Sequence, residues 1–109
     1  MQIHKYLILA VFLILPSILF AQSFHIKGTV IDKNEREPLA FSNVFIPQIK
    51  DGFLTDENGE FSKTFTSKID SIIFTYIGYK PFILKLPVEN PEDILIEMES
   101  TSSVLEQVV

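Results

Sequence analysis

Hydrophobic and polar residues are distributed differently in the first 21 positions and in the rest of the chain. An apolar stretch follows Lys5 and ends at Ala21, interrupted only by Pro16 and Ser17. A charged start, an apolar segment of about 7–15 residues and a small final residue are typical of a secretory signal peptide. We therefore predict export, with cleavage after Ala21. The alternative is an uncleaved membrane anchor, which Pro16 disfavours because it interrupts a stretch already short for a spanning helix.

From residue 22 onward, short alternations of apolar and polar residues replace the continuous apolar stretch. Alternation with a period of two is typical of a strand with one buried face. In the first strand, Phe24, Ile26 and Val30 fall on one face. No helical period is long enough to predict a helix. Seven strands are predicted, over residues 24–30, 42–46, 53–55, 60–65, 71–77, 81–86 and 94–98.

Turn residues separate these strands. Residues 32–38 are polar, and residues 87–93 form a predicted loop. Asp51-Gly52 is a turn signal, and Asn58-Gly59 is the strongest one, because Asn-Gly supplies the positive φ angles of a tight hairpin. Gly78 separates the fifth and sixth strands. The regular spacing predicts an all-β fold, and isolated hairpins are unstable in water, so we expect a seven-stranded antiparallel β-sandwich with two packed sheets.

Composition excludes several classes of function. The 109 residues contain no Cys, which rules out disulfides, thiolate metal sites and cysteine nucleophiles. The 9 Lys and Arg residues are outnumbered by 14 Asp and Glu residues, giving a net charge of −5. Nucleic-acid binding requires clustered basic residues, so we predict no nucleic-acid partner.

Candidate catalytic and metal-binding residues are few. His25 is the only histidine after the leader, and alternation places it on the polar face of the first strand, so we predict no catalytic residue, no metal site and no cofactor. Asp56, Glu57, Asn58 and Glu60 resemble part of a calcium loop, but the distal Glu is missing and turn chemistry explains them better. Tyr76 and Tyr79 could contact a sugar, although packing is the commoner role of such residues.

Five segments in order resemble the carboxypeptidase regulatory-like domain, a transthyretin-like seven-stranded sandwich. The resemblance runs from about residue 24 to residue 98, and the segments read Gly28-Thr29-Val30-Ile31-Asp32, Glu37-Pro38-Leu39, Asn43-Val44-Phe45-Ile46, Thr55-Asp56-Glu57-Asn58-Gly59-Glu60-Phe61 and Tyr76-Ile77-Gly78-Tyr79. The chain departs from the family at Glu35-Arg36, where Gly is frequent, and at Ser42, where Ala is common. Lys63 stands on the predicted inward face, so either a bulge shifts the register or its side chain reaches the sheet edge.

The resemblance implies a non-enzymatic accessory module, since the zinc ligands of carboxypeptidases lie in a separate domain. One setting of the family is the N-terminal extension of TonB-dependent outer-membrane transporters, which import glycans or other large nutrients. The expected organisation is a signal peptide (1–21), the sandwich (22–99), and a linker with the start of a TonB-box-like segment (100–109).

The expected partner-binding residues are Val104, Leu105, Val108 and Val109, which would add a strand to a periplasmic or outer-membrane protein. The protein would lie in the periplasm or on the periplasmic face of the outer membrane, and would contact the membrane only through the rest of a larger protein. The alternatives are a module of another outer-membrane-associated protein and a stand-alone exported protein that binds carbohydrate or protein.

Overall fold

The computed structural model describes residues 23–101, together with His4, Tyr6 and Leu7. Within residues 23–101 the chain forms seven strands and one short 3₁₀ helix, Pro47–Ile49, between the second and third strands. The prediction of an all-β sandwich is confirmed. The strands are β1 (Phe24–Asp32), β2 (Asn43–Ile46), β3 (Asp51–Leu54), β4 (Glu60–Phe65), β5 (Ser71–Thr75), β6 (Phe82–Lys85) and β7 (Ile94–Met98).

The strands form two sheets, with the orders β4-β1-β7 and β3-β2-β5-β6. In the smaller sheet β1 is central: it pairs antiparallel with β4 and parallel with β7. The expectation of a wholly antiparallel sandwich is therefore wrong for β1 and β7. These strands lie at opposite ends of the domain sequence, so no tight hairpin joins them and forces an antiparallel pairing. A parallel pair needs a long connection between its two strands, and the residues between β1 and β7 provide it.

The inner faces of the two sheets pack into one hydrophobic core. Alternation along several strands buries every second residue, as it does for Ile26 and Val30 of β1 and for Val44 and Ile46 of β2. The rings of Phe61 in β4 and Phe74 in β5 lie with centroids 5.3 Å apart and join the sheets. Burial of aromatic side chains contributes strongly to such a core.

Three strand boundaries differ from the sequence-based prediction by two residues each, and the others agree within one residue. β1 runs on to Asp32, two residues beyond the predicted end, because Ile31 and Asp32 still pair with β7. β3 begins at Asp51, inside the predicted turn, since Lys50 makes the turn with a φ of 50° after the 3₁₀ helix. β5 ends at Thr75, and Gly78 lies in the following turn with a φ of 85°.

The turn at Asn58-Gly59 forms, but it does not close a hairpin as predicted. β3 pairs with β2 and β4 pairs with β1, so the turn carries the chain from one sheet to the other. Of the two residues Asn58 and Gly59, only Gly59 has a positive φ, 73°, whereas the tight hairpin turn requires a positive φ at both. The Asp56 carboxylate instead accepts hydrogen bonds from the backbone N–H groups of Asn58 and Glu60, both at 2.9 Å.

Lys63 faces inward from β4, and its side chain reaches the open side of the sandwich. The β1–β4 register is unbroken from Phe24 to Thr29, so no bulge shifts it. The Lys63 ammonium lies 3.8 Å from the Asp51 carboxylate and 5.6 Å from the centre of the Phe53 ring, both in β3. Of the two possibilities that the sequence left open, the structure shows the second, in which an aliphatic stem is buried and the charge stays at the edge.

Most of the predicted signal peptide, residues 1–21, lies outside the described residues, and its removal stays a prediction. Among the residues that the structure does describe, no helix is long and apolar enough to cross a membrane.

Candidate functional site

The outer faces of the two sheets have different chemistry. Alternation points mostly polar residues outward from the three-stranded sheet, and Leu95 is the exposed apolar residue among them. The four-stranded sheet points a row of apolar residues outward. Apolar patches exposed on a folded domain mark interaction surfaces more often than the scattered apolar residues found on every protein.

The apolar outer face, defined as Phe45, Leu54, Ile73 and Ile83, crosses the four-stranded sheet. Phe45 of β2 is the direct partner of Ile73 in β5, which in turn pairs with Ile83 in β6. Phe45 is 40% exposed and Ile83 is 57% exposed. Gly52 in β3 is the partner of Phe45 on its other side, and because glycine has no side chain, it leaves that side of the Phe45 ring uncovered. The result is an apolar stripe across neighbouring strands of the sheet.

This stripe extends to one end of the sandwich, where Phe41 and Ile77 project from neighbouring turns. Phe41 is 62% exposed and Ile77 is 96% exposed. Phe41 has a φ of 58°, a conformation that bulky residues rarely adopt. With Asn43 and Thr75, these residues line an open groove of about 700 Å³. The groove combines an exposed aromatic ring with amide and hydroxyl groups.

A buried polar network fixes the backbone next to Phe41. The Ser42 N–H donates to the Thr55 Oγ1 at 2.8 Å, and the hydroxyls of Ser42 and Thr55 both donate to the Leu39 carbonyl, at 2.8 and 3.1 Å. Thr55 N–H also donates to the Ser42 carbonyl at 2.9 Å. Because buried polar groups are costly when unpaired, this network holds the 39–42 loop in one conformation.

His25 makes the contact that most resembles catalytic machinery. Its Nε2 lies 2.6 Å from the Ser62 Oγ, and its Nδ1 lies 3.9 Å from the Glu92 Oε1. A nucleophilic triad requires the third group to hydrogen bond the imidazole and requires donors for an oxyanion. The Glu92 distance is too long for a hydrogen bond, Ser62 lies on an exposed strand surface, and the strand N–H groups around it belong to a sheet. The arrangement is therefore a surface contact, on the polar face where the sequence places His25.

The candidate residues Asp56, Tyr76 and Tyr79 are hydrogen bonded or packed within the domain. The Asp56 carboxylate is occupied by the backbone of its own turn, which supports the turn interpretation over the calcium interpretation. The rings of Tyr76 and Tyr79 contact edge to face, with centroids 5.5 Å apart, and both pack against the core. The Tyr79 hydroxyl donates to the Asp32 Oδ2 at 2.5 Å, so this tyrosine packs and bonds within the domain.

The four residues expected to bind a partner, Val104, Leu105, Val108 and Val109, lie outside the described residues, and that expectation stays a prediction. The structure does describe Ser100 and Thr101, which precede them in the predicted linker. Ser100 forms a bridge with Tyr79, and the Thr101 N–H donates to the Gly78 carbonyl at 2.8 Å. The first residues of the predicted linker are thus attached to the turn between β5 and β6, beside Ile77.

The apolar outer face was not among the sites predicted from the sequence, although the sequence carries a signal for it. The segments 44–46, 72–74 and 82–84 are continuously apolar instead of alternating. A continuous apolar run is typical of a strand covered on both faces. In this fold the inner face is covered by the opposite sheet, and the outer face is left open to solvent.

Comparison with known proteins agrees with this architecture. The sequence profile of the CarboxypepD_reg-like domain matches residues 26–109, which includes every strand of both sheets except the first two residues of β1. A search of curated proteins finds no match to the chain. The profile covers most of the chain, the seven strands form the expected sandwich, and the chain belongs to the CarboxypepD_reg-like domain family.

Proposed function

We propose that this protein is a non-enzymatic docking module of an exported, outer-membrane-associated protein, and specifically the N-terminal extension of a TonB-dependent transporter for glycans or other large nutrients. The observation that carries the proposal is the contrast between the apolar outer face of the four-stranded sheet and the polar outer face of the other sheet. One face suits a protein partner, and the opposite face suits water.

The partner that we propose for the apolar outer face is the plug region of the transporter on its periplasmic side. The face is nearly uncharged, since Lys85 is the charged residue among the outward positions of its four strands. Such a face favours a broad protein surface over a small polar ligand. Thr101 is also hydrogen bonded to the Gly78 carbonyl, next to Ile77 at the end of this same face.

Cross-linking tests this surface. A photoreactive amino acid is introduced at position 83 in the complete natural protein, and separately at position 95 on the polar face as the control. Ile83 and Leu95 have similar exposure, 57% and 49%, so they differ mainly in the sheet that carries them. We expect position 83 to cross-link to a plug peptide and position 95 not to. Equal cross-linking at both positions, or none at 83, contradicts the docking surface.

The C-terminal segment has a separate proposed role. Val104, Leu105, Val108 and Val109 would add as a strand to the edge of a TonB-type periplasmic protein. A Val108→Pro substitution removes a backbone N–H that strand addition needs. In the complete protein we expect this variant to lose nutrient uptake, and Val108→Thr, which keeps the N–H and the β-branched shape, to retain it. Full uptake with proline at position 108 contradicts strand addition.

The groove at Phe41 favours a second candidate function, a stand-alone exported protein that binds carbohydrate. An exposed aromatic ring beside amide and hydroxyl groups can stack on a sugar ring and bond its hydroxyls. Retardation of the purified protein in glycan-containing gels distinguishes the two functions. Retardation that Phe41→Ala abolishes supports the sugar-binding function, whereas unchanged mobility in every gel supports the docking module.

A further inference from the structure

A second cavity lies at the end of the sandwich where β1 begins, away from the apolar outer face. Its volume is about 380 Å³, within the range of roughly 300–1,000 Å³ that small-molecule sites occupy. The buried side chains of Ile26 and Ile69 contribute to its lining. The remaining lining residues come from the strand start and two loops, and are Phe24, Lys68, Leu86, Pro87, Val88 and Pro91.

Backbone hydrogen bonds hold the walls of this cavity in place. The Lys27 N–H of β1 donates to the Pro91 carbonyl at 2.8 Å, which fixes the far end of the 86–91 loop. The Leu86 N–H donates to the Asp70 carbonyl at 2.9 Å, which joins that loop to the segment carrying Ile69. A cavity whose walls are bonded to one another is preformed, so a ligand would bind without the cost of ordering them.

Lys68 is the charged residue among the lining residues, and its side chain is exposed. In the described part of the chain it makes no hydrogen bond and no ion pair. The nearby acidic residues Asp70, Glu89 and Glu92 are not among the lining residues, and Glu92 is turned toward His25. An apolar cavity with one unpaired cation at its rim is complementary to a molecule with an apolar body and one anionic end.

We propose that this cavity binds an unbranched alkyl carboxylate of medium length, with the chain against Ile26 and Ile69 and the carboxylate at Lys68. A sugar or a polar peptide finds almost no hydrogen-bonding groups in this lining, and a cation is repelled by Lys68. The site is separate from the docking surface of the proposed function and would be present whichever setting the domain occupies.

Calorimetric titration of the full purified protein with hexanoate, octanoate and decanoate, all below their micelle concentrations, tests the proposal. Each methylene that enters an apolar site strengthens binding about fourfold, so we expect affinity to rise by that factor per carbon until the cavity is filled. Decanol, which has the same chain without the charge, should bind more weakly than decanoate. Absence of saturable binding, or affinity that does not depend on chain length, overturns the proposal.

Two variants locate the site. Lys68→Gln should weaken decanoate binding about two- to fivefold, the range of an exposed ion pair, and leave decanol binding unchanged. Lys33→Gln, at the opposite end of β1, is the matched control and should change neither. Val88→Phe fills the cavity and should abolish binding of both ligands, with a thermal melt to verify folding. If decanoate binds Lys68→Gln as well as it binds the natural protein, the assignment of the carboxylate to Lys68 is wrong.

Discussion

The hydroxyl of Tyr79 donates a hydrogen bond of 2.5 Å to the Oδ2 of Asp32 and thereby joins the two sheets. Asp32 ends β1 in the three-stranded sheet, whereas Tyr79 lies in the turn between β5 and β6 of the other sheet. The second oxygen of Asp32 accepts the backbone N–H groups of Asn34 and Glu35, both at 2.8 Å. One carboxylate therefore fixes the start of the 33–38 turn and the packing of the opposite sheet.

This bond makes stability depend on pH at both extremes. The hydrogen bond to Asp32 is the main cause that raises the pKa of Tyr79 from 10.0 to about 12, with burial adding to it. The same hydrogen bond is the main cause that lowers the pKa of Asp32 from 3.8. The Tyr79 contribution is complete below about pH 10 and is lost as pH rises through about 12. The Asp32 contribution is complete above the usual carboxyl pKa and is lost as pH falls through the lowered one.

Tyr79→Phe should therefore lower the free energy of unfolding most strongly between about pH 4 and pH 10. The difference from the natural protein should shrink outside that window, because the bond is then weakened in the natural protein as well. Urea unfolding at a series of pH values measures it. Tyr76→Phe is the control, since the neighbouring ring stays and its hydroxyl makes no hydrogen bond with a described residue. A pH-independent difference would contradict the role of the bond.

Gly28 allows β1 and β7 to approach closely. A Cβ at this position would lie 2.3 Å from the Ile94 carbonyl oxygen and 2.7 Å from the Phe61 ring. The carbonyl belongs to the parallel ladder and cannot move without breaking it, so Gly28→Ala should cost about 3 kcal/mol of unfolding free energy. Gly78→Ala is the comparison: its φ is 85°, but open space surrounds it, so only about 1 kcal/mol of backbone strain is expected. Equal losses in urea unfolding would refute the close approach.

Thr55 and Ser42 have unequal importance in the buried network. Thr55→Val leaves the Ser42 N–H without its acceptor and should cost about 2 kcal/mol, because a buried donor is then unpaired. Ser42→Ala removes one donor to the Leu39 carbonyl, which keeps the Thr55 hydroxyl, and should cost about 1 kcal/mol. Thermal or urea unfolding of the two variants checks the order, and a larger loss in Ser42→Ala would contradict it.

Lys63 should stabilise the fold through its aliphatic stem more than through its charge. Its ion pair with Asp51 is partly exposed, and such pairs contribute at most about 1 kcal/mol. Lys63→Met keeps the stem and should unfold within about 1 kcal/mol of the natural protein. Lys63→Ala removes packed methylene groups and should be less stable than Lys63→Met by about 1 kcal/mol. Salt titration gives a further check, since raised ionic strength should weaken only the lysine form.

The strands were predictable from the sequence because their inner faces alternate regularly and turn residues separate them. Phe24, Ile26 and Val30 share a face as predicted, and every predicted strand overlaps an observed one. What the sequence could not show was the pairing. Asn58-Gly59 has the composition of a hairpin, but the partner of each flanking strand was decided by the core contacts of both sheets, which are not local in sequence.

The candidate site was less predictable for a related reason. Ile83 is a strand residue in the sequence, and its exposure depends on whether another layer covers β6. The inward position of Lys63 was correctly identified as unusual from its spacing to Phe61 and Phe65. To decide between a bulge and a side chain that reaches the sheet edge, the position of Asp51 was needed, and Asp51 pairs in the other sheet. Side chains that act between sheets cannot be assigned from one strand at a time.

The parallel pair of β1 and β7 gives the domain an order of assembly. The first strand leaves the ribosome long before its partner exists, and one edge of β1 keeps unpaired N–H and C=O groups until residues 94–98 follow. Contacts between such distant segments form slowly, so we expect β7 to complete the fold in a late step. A chain interrupted in the 87–93 loop would retain six strands around an open central edge. Such a fragment is the form of this chain that we expect to aggregate.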